Sequence, residues 1–492
     1  MAPGTRGSQA PSRAPSQGNE KECDIMSTTN GKISKKNMQN NEEVSIRIET
    51  GKEGILGKIH GLSEAFNPPK KPRDPRTPEV KNMEDFFEAK VGNISKFWSP
   101  RLGRLMLSTL RDFLKSKEFQ ITREVRWTGW GQIEEAPSLE LVDLGEGKSR
   151  EVIKDGQLYV TTPRGRMIFA AETDSDNDVR LRISFPSSCK ENQGFAKEYL
   201  AQFIEYAWEN SPLRGKAWQA DFSWIHRTGK IVQPFLTDSV NQKLQLHAHT
   251  FIENLANLER LGLKSSRGIL LSGPPGCGKT MVIKSMIEKY DDLTFIVLTS
   301  EHLQRQCVRQ IYDIARRLAP SVVILEDIDS AGGLSRKVSS HPILGEVLQA
   351  LNGVSENKGV FTIATTNFIE DLDDALRDRP GRFDVILTID LPDSDARFPM
   401  IEELCKKHDF EISESQLANF VQRTENFSGA WLAEVFESTK LVALSRGREE
   451  LYWDDILTAI EDIQDRRRVA YQKTPSLPPP PSNESMRGSS YA

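Results

Sequence analysis

From about residue 236 onward the apolar positions of this chain gather into short unbroken runs separated by longer segments at helical spacing. Gly268-Ile269-Leu270-Leu271-Ser272, Ser321-Val322-Val323-Ile324-Leu325 and the stretch Gly359 to Ala364 are such runs. Consecutive apolar side chains suit strands buried on both faces, as in a parallel sheet. Behind the first run, Val282 with Met286 and Ile283 with Ile287 repeat at i, i+4, which predicts a helix over Met281 to Tyr290. The pattern from 82 to 230 is mixed. Leu158-Tyr159-Val160 and Met167-Ile168-Phe169 flank a Pro163-Arg164-Gly165 turn and predict a β-hairpin. Val179, Leu181, Ile183 and Phe185 alternate as a half-buried strand, and Ala196 to Trp208 returns to helical spacing. Met83 to Leu114 also reads as helical through Phe86, Phe87, Val91, Leu105, Leu107 and Leu110.

The two ends are different. Residues 1–81 are poor in large apolar side chains and finish in Asn67-Pro68-Pro69-Lys70-Lys71-Pro72, a linker composition that predicts a mostly disordered arm. Within it Val44 to Ile48 alternates and Ile55 to Phe66 could dock, though local fluctuation explains both more simply. Residues 472–492 contain Pro478-Pro479-Pro480-Pro481 and read as a disordered tail. The expected organisation is therefore an arm (1–81), an α+β domain (82–230), an α/β domain (236–393), a small helical domain (394–471) and a tail (472–492).

Composition narrows the class. The net charge of −5 over 492 residues gives no global basic field, which argues against a dedicated nucleic-acid binder. Arg466-Arg467-Arg468 reads as a solvated helix end. Cys23, Cys189, Cys277, Cys307 and Cys405 are scattered without C-x-x-C spacing, which argues against a disulfide framework or zinc site and fits a reducing compartment. No apolar run approaches the roughly 18 residues of a membrane helix, and the N-terminus shows no secretory signal. The expectation is a soluble, cytoplasmic protein. Trp127, Trp130, Trp208, Trp218 and Trp224 concentrate in the α+β region and are expected to be core.

Candidate chemistry lies at the end of the first buried run. Gly273-Pro274-Pro275-Gly276-Cys277-Gly278-Lys279-Thr280 follows a strand and opens a helix, the context that a G-x-x-x-x-G-K-[ST] phosphate loop requires. Glycines let backbone N–H groups turn toward phosphate oxygens, and the helix N-terminus adds partial positive charge. Lys279 would reach the β- and γ-phosphates of ATP and the Thr280 hydroxyl would ligate Mg²⁺. The run Ser321 to Leu325 ends in Glu326-Asp327-Ile328-Asp329, acids at the carboxyl end of a strand, where α/β folds bind ligands.

With these motifs in this order, residues 236 to 470 resemble the AAA ATPases. Gly273 to Thr280 is similar to Walker A, Val322 to Asp327 to Walker B, Thr365-Thr366-Asn367 to sensor 1, Leu372 to Asp384 to the second region of homology, and Phe427 to Leu432 to the lid signature. The resemblance implies a P-loop parallel sheet flanked by helices, with a small helical lid, and an ATP and Mg²⁺ site. Gly273 to Thr280, Met281, Gly429 and Ala430 would line the nucleotide. Lys279, Glu326 (with Thr280, toward Mg²⁺), Asp327 as general base and Asn367 would act on it. Arg379 and Arg382 would be fingers reaching a neighbouring subunit. Such fingers imply a homo-oligomeric ring, usually a hexamer, acting on a protein substrate or adaptor. With Gly429-Ala430 the chain looks like the remodelling branch, and the lack of H-E-x-x-H excludes a fused zinc protease.

Three departures qualify this. The Walker B acids are Glu-Asp where most relatives have Asp-Glu, which predicts slow hydrolysis. Ser300 to Cys307, where unfoldases carry a gripping aromatic, has none, and Leu303 is the nearest substitute. Asp378 lengthens the stretch before Arg379 by one residue, making Arg377 a rival finger whose plainer role is pairing at the surface. An ATP-dependent assembly scaffold or switch with little hydrolysis is the alternative; nucleic-acid remodelling rests only on local basic runs.

Overall fold

The computed structural model describes residues 76–231, 233–305, 307–331, 342–352, 356–377 and 382–471. The tail expected at 472–492, and the arm up to residue 75, lie outside them. All elements below belong to one compact unit, Thr77–Ala492.

The first half is an antiparallel sheet. Helix α1 (Pro78–Phe87) is followed by β1 (Val91–Trp98), α2 (Pro100–Leu107), α3 (Leu110–Ser116), β2 (Gln120–Thr128), β3 (Ile133–Glu135), β4 (Ser138–Gly145), β5 (Lys148–Thr162), β6 (Gly165–Thr173), β7 (Val179–Pro186) and α4 (Lys190–Glu209). The strands lie in the order β1-β7-β6-β5-β2-β3, with β4 on β5. The hairpin expected at Pro163-Arg164 is the β5–β6 turn. Period-two alternation sends Leu181, Ile183 and Phe185 into one cluster with Met106, Phe113 and Phe203 from the helices. Phe113 and Phe203 meet edge to face at 5.5 Å. On the other side Met83 and Phe87 of α1 pack with Val125, Tyr159 and Ile168.

The spacing of Met83 to Leu114 predicts a helix throughout, but the stretch is interrupted by β1. Glu88 ends α1 in a left-handed conformation, φ 54°. Pro100 opens α2 at its first turn. Between them all eight residues of β1 pair with β7. Ladder hydrogen bonds outweigh the accidental helical spacing of Val91. Among the tryptophans, Trp218 and Trp208 are buried and Trp127 and Trp224 half-buried, but Trp130 is 96% exposed at the β2–β3 turn, against expectation.

The second half is a parallel sheet in the order β13-β9-β12-β11-β10-β8. Its strands are β8 (Ala217–Gln219), β9 (Arg267–Ser272), β10 (Thr294–Leu298), β11 (Ser321–Leu325), β12 (Val360–Thr366) and β13 (Val385–Thr388). Every residue of β10, β11 and β12 is buried, as the unbroken apolar runs require. On one side lie α5 (Lys279–Lys289) and the helical turns over 244–252, packed on Phe295 and Phe361. The other face carries α6 (Ser300–Gln304) and α7 (Val308–Arg317) and merges with the core of the antiparallel sheet. Leu303, the expected substitute for a gripping aromatic, is fully buried in that core. It is packing rather than a pore grip.

The parallel sheet begins before residue 236, because β8 pairs with β10 from within the stretch assigned to the preceding domain. Arg227 fastens the same segment to the far end of α5. Its guanidinium donates to the carbonyls of Ile287 (2.9 Å), Gly215 (2.9 Å), Asp291 (3.1 Å), Tyr290 (3.1 Å) and Leu293 (3.2 Å). The last carbonyls of a helix lack intrahelical partners, and Arg227 satisfies several at once.

Four helices, α8 (Ser394–Lys407), α9 (Glu414–Arg423), α10 (Gly429–Ser445) and α11 (Trp453–Tyr471), close a separate core around Phe420, Phe427, Phe436 and Ile460. The basic run does more than solvate a helix end: Arg467 stacks over Phe427 at 4.7 Å and donates to the Asn426 carbonyl at 2.9 Å. Among the described residues no helix is long and apolar enough to cross a membrane.

Candidate active site

The site sits where β9, β11 and β12 end together. Past β9 the chain turns through Gly276 (φ 79°) and Gly278 (φ 105°), and α5 starts at Lys279. A Cβ on Gly276 would lie 2.8 Å from both Ala430 Cβ and Ser428 Oγ, so glycine lets the helical lid rest on the loop. A Cβ on Gly278 would meet nothing within 4 Å, leaving a cradle at the helix N-terminus. The lid is held by Ala430, whose N–H donates to the Gly276 carbonyl at 3.2 Å. Ser428 accepts from Trp431 N–H and starts α10 there.

Lys279 is only 6% exposed, and its ammonium donates to Gly273 O (2.6 Å), Pro274 O (2.9 Å) and Asn367 Oδ1 (2.8 Å). Burial pushes its pKa down, while Cys277, Asp327 and Asp329 pull it back up. Thr280 and Met281, one and two residues further along α5, are exposed. Cys277 is buried, and desolvation raises its thiol pKa. Pro274 is half-buried, Pro275 exposed, Gly429 half-buried and Ala430 exposed.

The acids follow β11. Glu326 is half-buried, and its N–H donates to Leu298 O at 2.8 Å. Burial and then the Asp327 charge raise its pKa, against a weaker pull from Lys284. Asp327 is exposed with φ 47°, and its N–H donates to Thr365 Oγ1 at 2.9 Å. Asn367 joins the two halves. Its Oδ1 receives Lys279, its Nδ2 lies 3.5 Å from Asp327 Oδ1, and its backbone N–H donates to Asp329 Oδ1 at 3.1 Å.

Lys279, Asp327 and Asn367 are therefore brought together, with Glu326 beside Asp327. Arg382 is elsewhere, donating to the Ala375 carbonyl. Arg379 lies outside the described residues. Three further residues contribute for which the motifs assign no role of their own: Thr365, Asp329 and Ser428. Thr365 was visible as a hydroxyl in a buried apolar strand, and Asp329 as the third acid of its run.

The residues fit a nucleotide with Mg²⁺. The cradle beyond Gly278 is open, the helix N-terminus and Lys279 are cationic, and the Thr280 hydroxyl and two carboxylates are oxygen donors of the kind Mg²⁺ prefers. Among the described residues no cluster of three or more His, Cys, Asp or Glu could cage a metal alone. Mg²⁺ shared with phosphates needs no such cage.

Residues 269–391 match the model of the family described as the ATPase family associated with various cellular activities (AAA). The chain is 33% identical over 228 residues to the proteasome-activating nucleotidase of Saccharolobus solfataricus, covering 44% of this chain and 58% of that relative. The protein of the same name from Sulfurisphaera tokodaii is 33% identical over 234 residues, with the same 44% and 58% coverage. The ATP-dependent zinc metalloprotease FtsH of Mycoplasma pneumoniae is 30% identical over 249 residues, 45% of this chain and 35% of that relative. The chain thus spans somewhat over half the length of the first two and about a third of the last.

Proposed function

We propose that this chain, whose residues 269–391 match the AAA family model, is an ATP-hydrolysing motor. It works as a homo-oligomeric ring, a hexamer, that remodels or disassembles a bound protein or protein complex. The observation that carries this is Asn367, hydrogen-bonded to the phosphate-loop lysine on one side and facing the carboxylate of Asp327 on the other.

The residues divide the work. The loop from Gly273 to Thr280 binds the phosphates, and Lys279 supplies a buried cation at their end. Mg²⁺, held by the Thr280 hydroxyl and Glu326, would neutralise phosphate charge. Asp327 accepts the proton of the attacking water and Asn367 orients that water. Arg379 and Arg382 serve the neighbouring subunit's site, a role worth about 10³ to 10⁵ in rate in NTPases that use arginine fingers. Gly429 and Ala430 carry the nucleotide state into the lid through the Gly276 carbonyl. The domain at 82–230 is assigned to substrate or adaptor binding by position, and the protein to the cytoplasm.

The alternative, an ATP-dependent scaffold with little turnover, is favoured by one observation: Leu303 is buried, so it offers no gripping side chain. Steady-state ATPase rate against protein concentration, with mass photometry on the same samples, separates the two. A rate per subunit that rises as rings assemble and collapses on joint substitution Arg379→Ala and Arg382→Ala supports the motor. Rings that form with ATP yet turn over at background select the scaffold.

A further inference from the structure

We infer that Thr365 is a positioning residue for hydrolysis, acting through Asp327. Its hydroxyl fixes the left-handed backbone on which the short Asp327 carboxylate stands. This rests on the reading of Asp327 as the general base.

The geometry begins in the ladder. β11 and β12 pair in parallel up to Leu325 opposite Ala364. Beyond Leu325 the chain leaves β12, and Glu326 N–H turns to Leu298 O on β10. Asp327 N–H turns back toward β12, where Thr365 Oγ1 receives it at 2.9 Å. Thr365 is 1% exposed, so water competes little for that hydroxyl. At its other end the Asp327 peptide is pinned by Ser330, whose N–H (2.9 Å) and Oγ (2.7 Å) both donate to the Asp327 carbonyl. Both backbone polar groups of Asp327 are thus held. Its carboxylate stands at the surface, 3.5 Å from Asn367 Nδ2.

This arrangement accounts for the order of the two acids. At φ 47° a side chain sits in the left-handed region, where aspartate is several-fold enriched because its short polar group tolerates the crowding. Without an acceptor on β12 only the carbonyl side of Asp327 would stay held, by Ser330, and the carboxylate would swing away from Asn367. Valine has threonine's shape and strand preference but offers no acceptor, so it isolates the hydroxyl. A purely structural role for Thr365, satisfying a buried N–H, would make its loss indifferent to whether Asp327 is a base.

The test is ATP hydrolysis by the full-length protein with Mg²⁺, in steady state and single turnover, alongside nucleotide binding measured with a fluorescent ATP analogue. Thr365→Val is expected to lower kcat about tenfold to a hundredfold while nucleotide affinity changes by no more than about twofold. Thr365→Ser recovers most of the rate. In an Asp327→Asn background Thr365→Val lowers the residual rate no further, the non-additivity expected of residues that act as a unit. Full turnover in Thr365→Val, equal losses in the Val and Ser variants, or losses that multiply in the Asn background would each overturn the inference. Thr365→Ala replaces the valine variant if that one does not fold. A wild-type protein that binds nucleotide but shows no turnover would instead sink the reading of an active motor, and this inference with it.

Discussion

The ammonium of Lys279 and the side-chain carbonyl of Asn367 are 2.8 Å apart, so the phosphate loop and the end of β12 are joined by one charge-assisted hydrogen bond. Asn367 then points its amide nitrogen toward Asp327. In the proposed division of roles, the phosphate-binding lysine and the water-activating carboxylate are linked through a single side chain.

The two partners should therefore fail differently. Lys279→Ala is expected to lose nucleotide binding, because it removes the buried cation of the cradle. Asn367→Ala should keep binding and lose turnover by about 10²-fold, the scale of removing one preorganised donor. A fluorescent-nucleotide titration beside a phosphate-release assay checks both. Parallel losses of affinity in the two variants would reject the division of roles.

Gly276→Ala should uncouple the lid from the loop. The new methyl would sit 2.8 Å from Ala430 Cβ and from Ser428 Oγ, at φ 79°, which a non-glycine residue adopts at a cost of about 1–2 kcal/mol. We expect a lower melting temperature in the free protein and loss of the further rise that saturating nucleotide gives wild type. Thermal melts with and without Mg-ATP measure both. A nucleotide-induced rise as large as that of wild type would show that the lid adjusts at no cost.

Much of this was legible because it depends on local sequence. The β9–loop–α5 unit follows from an apolar run, glycines and i, i+4 spacing, and the buried β11 follows from four consecutive apolar residues, Val322 to Leu325. What escaped depends on distant partners. Val91 joins a strand because β7 lies beside it, not because of its neighbours in the chain. Trp218 is core as expected, but its strand β8 was not legible, because it extends a sheet whose other strands begin about fifty residues later. Trp130 has the same composition signal but stands at a turn, in solvent. Thr365 could be read as part of a motif, but its hydrogen bond to Asp327 spans 38 positions.

Arg227 was silent in the sequence and should be among the costliest surface-proximal changes. It donates to five backbone carbonyls at the end of α5 and in the loops around it. Removing it leaves several carbonyls without a partner, so Arg227→Ala should destabilise by about 2–4 kcal/mol, read as a shift in the urea midpoint. Arg227→Lys should rescue little, because an ammonium has three donors and no planar fork. Full rescue by lysine would mean that charge at the helix end, rather than the hydrogen-bond geometry, is what matters.

The same end of α5 carries a pH dependence. His249 Nδ1 lies 2.6 Å from the Tyr290 hydroxyl and 3.3 Å from Lys289 Nζ, while Glu253 accepts from Tyr290 at 3.0 Å and from Lys289 at 3.2 Å. Burial, and then the Lys289 charge, hold the His249 pKa below the ordinary imidazole value, with Glu253 opposing. A histidine with a depressed folded pKa binds fewer protons when folded than when unfolded. Its stabilising effect is complete above the unfolded value of about 6.5 and is lost as pH falls below it. His247 and His408 shift in the same direction, each chiefly through burial. Glu253 is held below the usual carboxylate range by its hydrogen bonds from Lys289 and Tyr290, so its loss comes in more acid solution. Melting temperature should therefore decline from about pH 7 to pH 5, above the range in which Glu253 takes up its proton. His249→Gln, which keeps a polar partner for Tyr290 but cannot protonate, should flatten that decline. An unchanged slope in this variant would place the proton uptake elsewhere than at His249.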